Sequence, residues 1–260
     1  MNQSFKMIQL SSLNSENKVV EIKLNRPESK NALNTQLIIE LNEAIYNLQK
    51  QDVKVVIIKG CEGNFAAGAD IKEMLDASLK EIQEFTNRVA EIQYAMKVSP
   101  IIFISAIEGH CLGGGLELAL STDIKIASET AIFGFPEVKL GILPGGGGTQ
   151  RLLTLTGSSF ASHYILSGEL FTAQKAYDMK IISEIVSEVD KEALEMGKKI
   201  AQHNGHALKA IKELITGIEN QELTVGLQLE RQMFQSLFTI GEAREGLLAF
   251  VEKRRPNYVK

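Results

Sequence analysis

The stretch AIEGHCLGGGLELALSTDIKIASETAIFGFPEVKLGILPGGGGTQR, residues 106–151, organises the rest of the chain. A triple glycine, Gly113-Gly114-Gly115, opens an apolar run, and a carboxylate, Glu117, lies just inside it. A second carboxylate, Glu137, follows Phe135-Pro136 and precedes the glycine run Gly145 to Gly148. Upstream, Ile101-Ile102-Phe103-Ile104 is a β-branched apolar run after Pro100 and predicts a buried strand. Leu116, Leu118, Ala119 and Leu120 favour a helix. The glycines between them therefore predict a strand-to-helix turn. Its N–H groups would lie at a helix N-terminus, where they lack intrahelical acceptors and the dipole is positive. Such a place suits an anion, or an oxygen that becomes one. A turn needed only for packing would use the same glycines.

Glu117 adds to this. A carboxylate in the first helical turn already favours the dipole. Its neighbours, however, predict a largely buried helix, and a buried Glu is rare unless it is paired or functional. Glu137 also sits in a mostly apolar stretch, FGFPEVKLGILPG. Burial raises a carboxyl pKa, and two nearby carboxyls push their titrations apart. One acid and one base at neutral pH is the result.

The composition bounds the alternatives. The chain has 260 residues, 44% of them hydrophobic and 23% charged, with a net charge of −4. The mild negative charge argues against nucleic-acid binding. Cys61 and Cys111 form neither a disulfide framework nor a ligand spacing, and two cysteines fit a reduced cytosolic setting. His203 and His206 are three apart, but His110 and His163 supply no metal motif with them, so no metal site is expected. MNQSFKMIQL shows no targeting pattern, and no apolar run reaches the ~18 residues that would span a membrane. A cytoplasmic location without membrane association is the expectation.

Outward from the central stretch, the sequence alternates strands and helices. Residues 19–24 alternate apolar and polar, as a half-buried strand does. Residues 35–50 have helical periodicity, with Asn34 or Thr35 placed to cap them. Residues 53–59 predict a second strand. CEGNFAAGAD, residues 61–70, is a small-residue loop. Helices are expected at 71–75 and 79–96, and strands at 101–107, 124–127 and 131–133. From about Gln150 helical signals dominate, with helices expected at 191–202, 207–215, 222–237 and 241–253. The pattern is mixed α/β. It suggests a core over 1–199 that carries the site and a helical region over 200–260 that covers the site, a subunit interface or both.

Several segments in order resemble the enoyl-CoA hydratase/isomerase, or crotonase, family. NRPESKNALN (25–34), FAAGADIKEM (65–74), GHCLGGGLELALSTDIKIA (109–127), FGFPEVKLGILPGGGGTQRL (133–152) and FVEKRRPNY (250–258) carry the resemblance. It implies a spiral of ββα repeats with a C-terminal helical region, assembled as homotrimers or homohexamers. It also implies an acyl-CoA thioester substrate, with coenzyme A as part of the substrate and no separate cofactor. By motif position, the backbone N–H groups of Ala69 and Gly114 would form an oxyanion hole, each donor worth ~10²–10³ in rate. Glu117 would hold and activate water, Glu137 would protonate C2, and Gly145 would help place the water. General acid–base catalysis contributes ~10²–10⁴ per group. Contacts to CoA or substrate would come from Ala66, Ala67, Ala69, Asp70, Ile71, Lys72, Gly113 and Gly114. Lys253-Arg254-Arg255 is either a solvated helix end or a clamp on the CoA phosphates.

Both acidic positions of the resembled hydratases are filled, which favours hydratase over isomerase; a branched-chain hydratase or a specialised lyase of the same family is the alternative, which substrate screening separates. A scaffold without turnover is disfavoured by the same pair. Two features depart from the family pattern, Glu108-Gly109-His110 and Leu116; Glu108 is either a surface feature or a pocket wall, and neither change removes the chemistry, though both could alter acyl selectivity. GGGGTQR lacks the G-K-[ST] ending of a nucleotide-binding loop.

Overall fold

A computed structural model of the chain describes residues 5–14, 16, 18–217, 245, 247–249, 252–254 and 256–257. The helix expected at 222–237 and most of the one expected at 241–253 lie outside these residues. The chain divides into two compact units, Met1–Lys198 and Lys199–Lys260.

The first unit is built on two sheets. Strands β1 (Ile8–Ser12), β2 (Val19–Leu24) and β3 (Val55–Lys59) are joined through helix α1 (Thr35–Leu48). Helices α2 (Ile71–Asp76) and α3 (Leu79–Val98) follow, then β4 (Ile102–Ile107), β5 (His110–Leu112) and helix α4 (Gly114–Leu120). Next come β6 (Ile124–Ser128), β7 (Ile132–Gly134) and helix α5 (Gly148–Ser167), which bends at Gly157, φ 78°. Strand β8 (Leu170–Thr172), helix α6 (Ala173–Asp178), strand β9 (Glu184–Val186) and helix α7 (Val189–Ala201) complete the sequence.

The larger sheet has six strands in the order β1-β2-β3-β4-β6-β9, and the smaller has three, β5-β7-β8. β1 runs antiparallel to β2, and every later pair in the large sheet is parallel. A repeat is visible in this order. In β4-β5-α4 and again in β6-β7-α5, the first strand joins the large sheet, the second joins the small one, and a helix follows. Strand β4 is buried at every position, as expected of a strand covered on both faces. Its one polar residue, Ser105, hydrogen-bonds Thr122 Oγ1 at 3.0 Å, so the core holds no orphaned hydroxyl there.

Local chemistry sets the helix starts. Asn34 Oδ1 accepts from Leu37 N–H and caps α1. Ser78 and Glu81 form a reciprocal capping box on α3. Strand β1 was not anticipated, nor were β5, β8 and β9, and the last two interrupt the stretch that reads as helical after Gln150. These last three have three residues each, too few to show a period. In the second unit, Asn204 Oδ1 accepts from Ala207 N–H at the start of helix α8 (Gly205–Gly217).

The loop NRPESKNALN is pinned by Asn31, fully buried at a left-handed φ of 57° that Asn tolerates. Its Oδ1 accepts from Arg26 N–H, and its Nδ2 donates to the carbonyls of Cys61 and Asn64. This ties residues 26–34 to the loop that leads into FAAGAD. Asn31→Ala leaves these buried groups unpaired and is expected to lower stability by ~2 kcal/mol or more. A urea midpoint equal to wild type would refute this role.

Candidate active site

Residues 67–69, the first turn of α4, a 3-10 helix at Pro136–Leu140 and Gly145-Gly146 surround one cavity of about 790 Å³. The expected strand-to-helix turn is there. Gly113 precedes α4 with φ 47°, a conformation that favours glycine. A Cβ on Gly113 would also lie 2.6 Å from Glu137 Oε1. One on Gly115 would lie 2.3 Å from the Ala66 carbonyl oxygen. The first turn of α4 thus packs directly on the FAAGA backbone.

That approach places Ala69 and Gly114 side by side. A Cβ on Gly114 would sit 3.5 Å from Ala69 N. Both residues line the cavity. Among the described residues, neither N–H has a protein acceptor, while the neighbouring Asp70 N–H donates to Leu33 and Gly113 N–H to Gly134. Two unspent donors therefore meet at the cavity wall.

Glu117 is buried, with 4% of its surface exposed. Its Oε1 accepts the N–H groups of Gly146 at 2.7 Å and Gly148 at 2.8 Å. Gly148 opens α5, so the carboxylate satisfies orphan donors at that helix N-terminus. The glycine loop is held in turn by Gln93 Nε2 and Arg151 Nη1, which both donate to the Gly146 carbonyl. Burial raises the Glu117 pKa, opposed by the Gly148 and Gly146 hydrogen bonds and by the Arg151 charge.

Glu137 is less buried and less supported. Its Oε2 is buried without a hydrogen-bond partner among the described residues. Burial pushes its pKa up to about 7, against an opposing pull from its own backbone N–H and with a smaller push from the negative charge of Glu117. The site therefore holds one carboxyl anchored by N–H donors beside one poised to carry a proton.

Most of the sequence-predicted residues converge here. Glu117, Glu137, Ala67, Ala69, Ile71, Gly113, Gly114 and Gly145 all line the cavity. Ala66, Asp70 and Lys72 do not. Ala66 is buried, with its N–H given to His110 and its carbonyl accepting from Leu112. Asp70 caps α2 and pairs with Arg26 Nη2 at 2.8 Å. Glu108 and Leu116 also lie off the cavity, Leu116 being fully buried in the core. Arg254 is engaged by Glu245 and Glu252, and Arg255 lies outside the described residues. The roles of Gly146, Gly148, Gln93 and Arg151 were not foreseen. The one available signal was a polar Gln93 between the core positions Ile92 and Met96 of α3.

The strand–strand–helix repeat thus sets a carboxylate pair beside two backbone donors that are free among the described residues, the architecture of an enzyme site. The chain belongs to the enoyl-CoA hydratase/isomerase family, whose profile matches residues 14–260. It is 41% identical over 257 residues to the probable mitochondrial enoyl-CoA hydratase of Dictyostelium discoideum, covering 98% of this chain and 92% of that one. It is 38% identical over 244 residues to the 2,3-dehydroadipyl-CoA hydratase of Escherichia coli K12, covering 93% and 95%. The crystal structure of an enoyl-CoA hydratase from Bacillus anthracis superposes with a TM-score of 0.93 at 33% identity, covering 97% of this chain and 99% of that one. The fold is the crotonase fold, and the chain is an enzyme of acyl-CoA chemistry.

The raised Glu137 pKa has a consequence for stability. A carboxyl whose folded pKa is above its ordinary 4.5 favours the fold while protonated, and that advantage is lost as pH rises through about 7. Glu137→Gln has no such loss. The urea midpoint of wild type should therefore fall relative to Glu137→Gln between pH 5 and pH 8. A constant difference would show that Glu137 titrates normally.

Proposed function

We propose that the protein is an enoyl-CoA hydratase, adding water reversibly and in syn fashion across the 2,3 double bond of a 2-enoyl-CoA. The observation that carries this reading is the meeting of Glu117 and Glu137 over one cavity with unequal support. The thioester oxygen sits on the N–H groups of Ala69 and Gly114. Glu117, ionised, takes a proton from a water that attacks C3. The electron pair of the double bond moves onto the thioester as an enolate, whose charge the two N–H donors stabilise. Glu137 then gives its proton to C2, completing a 3-hydroxyacyl-CoA. Gly145 lines the wall on which that water is placed. Dehydration reverses each step. No cofactor takes part, since CoA belongs to the substrate.

The distribution of work follows from the electrostatics. The two N–H bonds and Arg151 favour charge on Glu117. Burial without a partner favours a proton on Glu137. An isomerase needs one group to shuttle a single proton, so a second held carboxylate supports hydration instead. Exposed apolar residues on α5, among them Leu153, Phe160 and Leu166, support self-association as a homotrimer or homohexamer. The cytoplasm is the proposed location.

Crotonyl-CoA should lose its conjugated ultraviolet absorbance on adding the protein. Glu117→Gln and Glu137→Gln should each lower kcat by ~10²–10⁴. No absorbance change across short and longer 2-enoyl thioesters would overturn the reading, and 3-enoyl thioesters would then test isomerisation.

Both directions use the singly protonated pair and differ only in which carboxyl holds the proton. Hydration and dehydration should therefore share one kcat/KM profile, falling about tenfold per pH unit above about 7 as the pair loses that proton. A profile flat to pH 9 in either direction would refute the assignment.

A further inference from the structure

The cavity wall beyond Glu117 carries information about the acyl group, an inference that rests on the hydratase reading above. A Cβ on Gly146 would lie 3.1 Å from Val89 Cγ1, and one on Gly145 would lie 3.9 Å from Thr86 Cγ2. Glu117 faces C3, so the acyl chain past C3 runs toward these side chains of α3. Ile82, Phe85, Thr86 and Val89 line the cavity and, by their spacing, share one face of that helix. Ile142 and Leu143 line the same cavity. Thr86 is the one hydroxyl here, and it is already bonded to the Ile82 and Gln83 carbonyls, both at 3.0 Å. No Lys, Arg or His is among the described residues that line the cavity. Leu143 is 69% exposed, an apolar surface that a chain emerging from the cavity would cover.

We infer that this wall selects an uncharged acyl chain longer than crotonyl and rejects one that ends in a carboxylate. An apolar chain gains from each methylene it buries against α3. A terminal carboxylate would be desolvated with no cation among the described lining residues to meet it. This sets the chain apart from its E. coli relative, whose named substrate, a 2,3-dehydroadipyl thioester, carries a terminal carboxyl group.

The test is kcat/KM for crotonyl-, 2-hexenoyl-, 2-octenoyl- and 2,3-dehydroadipyl-CoA with wild type and Leu143→Arg. The expected gain is about fourfold per added methylene until the wall is covered. The dehydroadipyl thioester should fall ~10²-fold below the 2-hexenoyl thioester. Leu143→Arg, at an exposed position that leaves the core intact, should narrow that gap about tenfold. Equal or faster turnover of the dehydroadipyl thioester, or a steady fall from crotonyl to octenoyl, would overturn the inference. If no enoyl thioester is turned over, the hydratase reading has failed by itself. Calorimetric affinities for octanoyl-CoA and adipoyl-CoA then decide the wall. Tighter octanoyl-CoA supports it, and equal or tighter adipoyl-CoA overturns it.

Discussion

Two backbones meet almost without side chains where α4 starts, and the site depends on that contact. The first turn of α4 lies on Ala66 so closely that a methyl group on Gly115 would overlap the Ala66 carbonyl. Ala66 is held there by bonds to His110 and Leu112, the two ends of β5. A parallel bridge between Ala66 and Cys111 continues the small sheet. The sheet thus fixes the FAAGA segment, and the glycines let the helix approach it. The pairing of the Ala69 and Gly114 donors follows from this geometry.

The carboxylates are supported in opposite ways. Glu117 closes a circuit that runs through the start of α5, since its oxygen binds Gly146 and Gly148 while Arg151 and Gln93 hold the Gly146 carbonyl. A buried charge is tolerable when N–H donors and a nearby cation meet it. Glu137 sits on a single 3-10 turn with one buried oxygen unmatched. One fold therefore produces two carboxyls of unequal proton affinity. The inequality is built from backbone geometry and burial.

Much of this was legible in the residues. IIFI after Pro100 reads as a buried strand because it is short, apolar and β-branched, and β4 is one. A carboxylate among Leu116, Leu118, Ala119 and Leu120 announces its own burial. Other parts carried no signal. Strands β5, β8 and β9 exist because neighbours pair with them. Helix α5 begins in glycines and contains Gly157, Thr and Ser, so its propensity is weak and packing decides it. The donors to Glu117 lie 29 and 31 positions away and belong to the main chain, where side-chain spacing cannot reveal them. Polar Gln93 and Arg151 meet at the Gly146 carbonyl only in the folded chain, since they come from α3 and α5.

The two donors at the cavity wall also govern how this enzyme is able to change. Every residue but proline carries the same main-chain N–H, so ordinary substitution at position 69 leaves the donor in place. A methyl group at position 114 would make only ordinary contact, 3.5 Å from Ala69 N. The carboxyls enjoy no such protection, because a single base change deletes either one. On the function proposed above, the capacity to stabilise a developing oxyanion should therefore outlast, over evolutionary time, the acid–base pair beside it. New reactions on the same thioester then become reachable by replacing side chains around a fixed pair of amides.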